Sequence, residues 1–69
     1  MRVAKIVLSK LTKGSFRRRD LVKGVLAESP SYDVFQSTLK WLVRRGYVER
    51  VARGIYCITK EGENFLRAI

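Results

Sequence analysis

Residues 31–48, SYDVFQSTLKWLVRRGYV, decide how this chain folds. Phe35, Leu39, Leu42 and Val43 recur at i, i+4, i+7 and i+8, which is one face of an α-helix. Gly46 stands where a helix that must stop takes a residue able to adopt positive φ, and Tyr47-Val48 begins an extended run. Upstream, Ser29 can cap the helix with Pro30 at its first position, or Ser31 can be the cap. The spacing predicts a helix over residues 31–45 that buries Phe35, Leu39, Leu42 and Val43. Its other side carries Asp33, Gln36, Ser37, Lys40 and Arg44 at i, i+3, i+4, i+7 and i+11, a continuous polar stripe.

Towards the N-terminus, Ala4, Val7, Leu8 and Leu11 fall at i, i+3, i+4 and i+7 and predict a helix over residues 2–11. It ends before Gly14, with Lys10 and Lys13 where cations suit the helix dipole. Val3 and Ile6 lie off that stripe; they either widen the core face or meet a second copy of the chain. Ser15-Phe16 reads as a short extended link. A second helix is predicted over residues 18–27 with Leu21, Val22, Val25 and Leu26 inward. Gly24 inside it costs roughly 1 kcal/mol relative to Ala and predicts a close helix–helix approach.

Towards the C-terminus, residues 47–52 and 55–59 are rich in Val, Ile and Tyr, with Arg53-Gly54 between them, the pattern of a hairpin. Thr59 can cap a last helix over residues 60–68, with Glu61 and Glu63 in its first turn. Phe65, Leu66 and Ile69 are the residues it can bury. The reading is one domain over residues 1–69 of mostly helical α+β class: three helices, a two-stranded hairpin and a short helix.

The charge is one-sided. Fifteen Lys and Arg face six Asp and Glu, a net +9. Self-repulsion on that scale works against compaction and points to a polyanionic partner, nucleic acid first and an anionic membrane surface second. No apolar run reaches the ~20 residues that span a bilayer. The run Val3 to Leu8 is short, is broken by Lys5, and does not read as a signal peptide. Cys57 is the single cysteine, so no disulfide framework is indicated and a cytoplasmic, nucleoid-associated protein is expected. A chain of 69 residues buries only about 60% of its unfolded surface, so pairing with a second copy would supplement its core.

Catalysis has little to stand on. There is no histidine and no second cysteine for the usual zinc or Cys-His sites, and the six acids are scattered. No phosphate-binding loop or nucleophile elbow is present. The expectation is a binding protein rather than an enzyme, with no cofactor, no metal and no small-molecule ligand.

Thr38 to Val48 resembles the end of a recognition helix in small prokaryotic regulators: Leu39 and Leu42, then Gly46, an aromatic and an aliphatic residue. Tyr56-Cys57-Ile58-Thr59-Lys60-Glu61-Gly62, followed by Leu66, resembles the second wing strand running into the last helix in PadR-like and MarR-like proteins. The resemblance implies a winged helix-turn-helix that binds duplex DNA and regulates transcription. It is closest in kind to the bare domains of compact regulators from archaea, their viruses and plasmids.

On that reading the outward stripe of the third helix meets bases. Gln bonds adenine in a bidentate way, Lys bonds guanine and Ser suits several bases, so Gln36, Ser37 and Lys40 are the base-edge residues. The resemblance places Arg17, Arg18 and Arg19, at the start of the second helix, on the phosphate backbone. Arg50 and Arg53 on the wing, Arg44, and Tyr32 by the third helix's N-terminus join them. Asp33 complements the helix dipole or accepts from cytosine. Trp41 and Tyr47 pack in the core or against a second copy, or stack on single strands. Val3, Ile6 and Trp41 are the surplus apolar residues that favour a homodimer. Three alternatives stay open: a merely solvated polar stripe, a non-specific nucleoid or RNA-binding protein, and a winged-helix protein–protein adaptor.

Overall fold

The computed structural model describes residues 2–28 and 31–69. In chain order the elements are α1 (Arg2–Leu11), β1 (Phe16–Arg17), α2 (Arg18–Leu26), α3 (Tyr32–Arg44), β2 (Val48–Ala52), β3 (Ile55–Ile58) and α4 (Lys60–Ala68). This is the α+β arrangement of a winged helix. Among the described residues no helix is long and apolar enough to cross a membrane.

The periodic stripes become the core. Ala4, Val7, Leu8 and Leu11 of α1 meet Leu21 and Val25 of α2, Phe35, Leu39 and Leu42 of α3, and Val48 of β2, all buried. Each of the larger side chains contributes about 1.5–3 kcal/mol by leaving water. Val22, Leu26, Phe65 and Leu66 pack around this centre half-buried. Val43 departs from expectation: it is 37% exposed. An apolar stripe on a surface helix is only a little over 100° wide. Val43 sits at its edge, beside the wing instead of under it.

The helix ends follow local chemistry. Ser31 caps α3, its hydroxyl accepting from the Val34 N–H at 3.3 Å; the alternative cap at Ser29-Pro30 lies outside the described residues. At the other end of α3, Gly46 takes φ 80°, its N–H donates to Val43 at 3.1 Å, and the Tyr47 N–H donates to Leu42 at 2.9 Å. That pair of bonds satisfies the last carbonyls and turns the chain into β2.

Thr59 then fixes α4. Its hydroxyl donates to the Gly46 carbonyl at 2.6 Å and accepts from the Gly62 N–H at 3.0 Å. Gly62 is buried against the Tyr47 carbonyl: a Cβ there would stand 2.0 Å from that oxygen. Phe65 stacks on Tyr47 with centroids 4.3 Å apart and planes within 5°, and Trp41 lies 5.9 Å from both rings. Trp41 is thus in part a packing residue.

The expected hairpin of β2 and β3 forms, and the Ser15-Phe16 link adds a third strand to it, giving an antiparallel sheet in the order β1-β3-β2 with Phe16 opposite Tyr56 and Arg17 opposite Ile55. Two residues are too few to show an alternating pattern, and their partners are distant in sequence, so the link concealed a strand. The close approach at Gly24 comes from a side chain and not a helix backbone. Lys10 methylenes lie 2.9 Å from where a Cβ would be, and the Lys10 ammonium reaches Glu28 at 3.0 Å.

Candidate nucleic-acid interface

The start of α2 is bound to the wing. The Arg17–Ile55 pairing of β1 with β3 continues into a bond from the Arg18 N–H to the Gly54 carbonyl at 2.8 Å. Gly54, at φ 73°, makes the turn between β2 and β3. Before the turn, register shifts between Arg50 and Ala52, so Val51 is an extra bulged residue, 50% exposed. A bulge increases strand twist and re-aims neighbouring side chains.

The Arg18 guanidinium spans from α2 to α3. Its carbon sits 5.7 Å from the centroid of Tyr32 and 5.9 Å from that of Phe35, and it donates to the Tyr32 hydroxyl at 3.0 Å. Contact with two ring faces together with a directed hydrogen bond holds a guanidinium more firmly than it would a lysine ammonium. The Tyr32 hydroxyl is therefore engaged within the protein.

These links shape a groove of about 410 Å³ lined by Arg18, Gln36, Leu39, Lys40, Val43, Arg44, Arg50 and Tyr56. Four cations from three elements converge there, and no acidic side chain is among the lining. Five of the sequence-selected residues meet in this one place: Gln36, Lys40 and Arg44 on α3, Arg18 on α2 and Arg50 on β2. Leu39, Val43 and Tyr56 give it an apolar floor. Tyr56, opposite both Phe16 and Arg50 across β3, was not selected from the sequence. Nothing in the period-2 pattern of β3 distinguishes it from its neighbours.

The remaining selected residues lie elsewhere. Ser37 is exposed on the flank of α3 nearer α1, bordering a second groove of about 480 Å³ with Arg2, Val3, Ala4, Val34, Thr38 and Trp41. Arg17, Arg19 and Arg53 are exposed outside the lining of the α3–wing groove. Of the three surplus apolar residues, Val3 and Trp41 share the α1–α3 groove, whereas Ile6 lies on the outer side of α1. Val3 and Ile6 are half-buried against the core. Arg45 lies over the Trp41 ring at 5.4 Å.

Residues 8–59 match the family model described as transcriptional regulator, AbiEi antitoxin. No curated protein and no solved structure matches the chain. The matched span runs from α1 to the end of the wing and contains every residue that lines the α3–wing groove. It supports a regulator of the helix-turn-helix kind and lends nothing to the narrower kinship with PadR-like and MarR-like proteins.

Proposed function

The chain belongs to the AbiEi antitoxin family of transcriptional regulators, and from that premise we propose that it binds duplex DNA by setting α3 in the major groove. Gln36 and Lys40 read base edges, with Ser37 on the flank nearer α1. Arg18, Arg44 and Arg50 hold the phosphates on either side, and Arg17, Arg19 and Arg53 add contacts further out. Tyr32 acts through Arg18. The protein acts by binding, without a catalytic step, metal or cofactor, in the cytoplasm at the nucleoid. Two copies engage successive major grooves, with their α3 helices about 34 Å apart.

The observation that carries this reading is the groove itself: Gln36, Lys40 and Arg44 of α3 line it together with Arg18 of α2 and Arg50 of the wing, with no acidic side chain in the lining. Neutralising about six phosphates per bound unit gives a slope of log K against log salt near −5. Titration with a duplex at several salt concentrations measures that slope. A flat response, or no binding at low salt, sinks the proposal.

Arg17, Arg19 and Arg53 favour a second reading, because exposed cations outside the groove add affinity without sequence preference. Random duplex, or structured RNA, competing as well as a selected site would make the protein a non-specific nucleic-acid binder.

A further inference from the structure

We propose that the outer face of α1 is a second DNA-backbone surface, on which a separate duplex docks, so that one copy of the chain bridges two duplexes. The inference rests on the DNA-binding reading above for the first duplex.

The face is built from a one-signed pattern. From Arg2 to Leu11 the chain contains Arg2, Lys5 and Lys10, Lys13 follows in the next turn, and there is no Asp or Glu. With Ala4, Val7, Leu8 and Leu11 buried, Arg2, Lys5, Ser9 and Lys13 are left exposed at i, i+3, i+7 and i+11. They surround a shallow depression of about 350 Å³ shared with Ile6, Lys10 and Glu28. Glu28 is the single acid in that lining, and it is paired with Lys10 at 3.0 Å. Arg2, Lys5 and Lys13 therefore carry charge that Glu28 does not offset. Solubility alone is served by mixed signs, as on α4, which carries Lys60 and Arg67 beside Glu61 and Glu63.

Size and charge fit a nucleic-acid backbone. At 1.5 Å per residue, α1 from Arg2 to Leu11 is roughly 14 Å long, a length in which a duplex presents about eight phosphate charges. An anionic lipid surface fits less well. Interfacial helices insert an exposed apolar face, whereas the apolar face of α1 is already in the core.

No residue of this depression lines the α3–wing groove, and of its seven only Arg2 also borders the α1–α3 groove beside Ser37. For one duplex to reach both, it would have to curve around a body measuring only 27 × 27 × 21 Å. Bending a site of 20–30 base pairs by 40–90° costs of the order of 1–6 kcal/mol, which a second duplex avoids.

The test captures a labelled duplex on beads carrying an unlabelled one, and in parallel measures affinity for a single short duplex. The Lys5→Ala/Lys13→Ala variant, two exposed positions outside both the α3–wing groove and the groove that Ser37 borders, should hold single-duplex affinity within about twofold and need about tenfold more protein to capture the second duplex. The Lys40→Ala/Arg44→Ala variant should lose both. Capture by the α1 variant equal to wild type overturns the inference, because paired copies then bridge through their grooves. So does a loss of single-duplex affinity as large as the groove variant's, absence of capture by the wild type, or α1-dependent binding to phosphatidylserine vesicles without capture. Wild-type protein that binds no single duplex refutes the functional reading itself, which the parallel measurement reports separately.

Discussion

The backbone N–H of Arg18 donates to the carbonyl oxygen of Gly54 at 2.8 Å, so the first residue of α2 is tied to the tip of the wing. Arg18 lines one wall of the α3–wing groove and Arg50, on the strand leading to Gly54, lines another. The backbone positions from which these two cations extend are thus held together by main-chain bonds.

That link makes Gly54 a test of the wing. At φ 73° a side chain is strained, yet nothing lies within 4 Å of an added Cβ. Gly54→Ala should therefore cost only the conformational term, about 1–2 kcal/mol. In a domain of this size that lowers the thermal midpoint by roughly 4–8 °C per kcal/mol. Circular dichroism during a thermal scan measures it, and an unchanged midpoint would show that the turn does not need its left-handed residue.

Gly62 presents the opposite case. Its Cβ would stand 2.0 Å from the Tyr47 carbonyl, a backbone atom that cannot swing aside. Overpacking a tight contact typically costs 1–3 kcal/mol, and a small core supplies only about 3–5. A 2.0 Å backbone clash is at the severe end of that range, so Gly62→Ala should cost about 3 kcal/mol or more and leave little net stability, whereas Thr59→Val, which removes the cap, should cost about 0.5–2 kcal/mol. Trp41, the single tryptophan, packs beside Tyr47 and Phe65, so its fluorescence reports both. If Gly62→Ala proves the milder of the two, α4 is not held as tightly as the contact implies.

The helices were legible because each writes its own buried face and its own stop: Ala4, Val7, Leu8 and Leu11, or Phe35, Leu39 and Leu42 before Gly46. Strand β1 was not, because its partners Ile55 and Tyr56 lie far along the chain and a two-residue strand has no period. Val43 was misread for a geometric reason: helical spacing locates a stripe and leaves open which neighbour covers the edge of it. The same limit applies to the candidate site. Gln36, Lys40 and Arg44 follow from the face opposite the core. That Ser37 faces α1, or that Arg18 rests on Tyr32, follows only from how α1, α2 and the wing pack around α3.

Arg18 should not tolerate lysine. Its position depends on lying over the Tyr32 and Phe35 rings while also donating to the Tyr32 hydroxyl, a combination that the extended, multi-donor guanidinium makes and a compact ammonium holds less firmly. Arg18→Lys keeps the charge, so the fall of log K with log salt should stay close to wild type while affinity drops. Arg18→Ala should also flatten the slope by about 1. Tyr32→Phe keeps the ring under the guanidinium and removes the acceptor, and should fall between wild type and Arg18→Lys. Salt-dependent duplex titrations separate the three. Identical slopes for Lys and Ala would mean that Arg18 touches no phosphate.

The sharpest division is between residues that read and residues that hold. Gln36 and Lys40 line the groove, and both carry the groups that discriminate bases, so Gln36→Ala and Lys40→Ala should change which sequences a random duplex library yields, with about 1–3 kcal/mol lost per readable pair. Arg53 is exposed at the wing turn outside that lining, so Arg53→Ala should weaken all sequences alike and flatten the salt slope by about 1. Ser37 decides how α3 is seated. Because it borders the α1 side, Ser37→Ala changes the selected sequence only if the helix enters with its outer ridge foremost. If it enters tilted towards the wing, Ser37→Ala leaves selection unchanged while Gln36→Ala alters it. Selection from a random library with each variant distinguishes these entries. Unaltered preference for both Gln36→Ala and Lys40→Ala would reduce the protein to a backbone clamp without sequence readout.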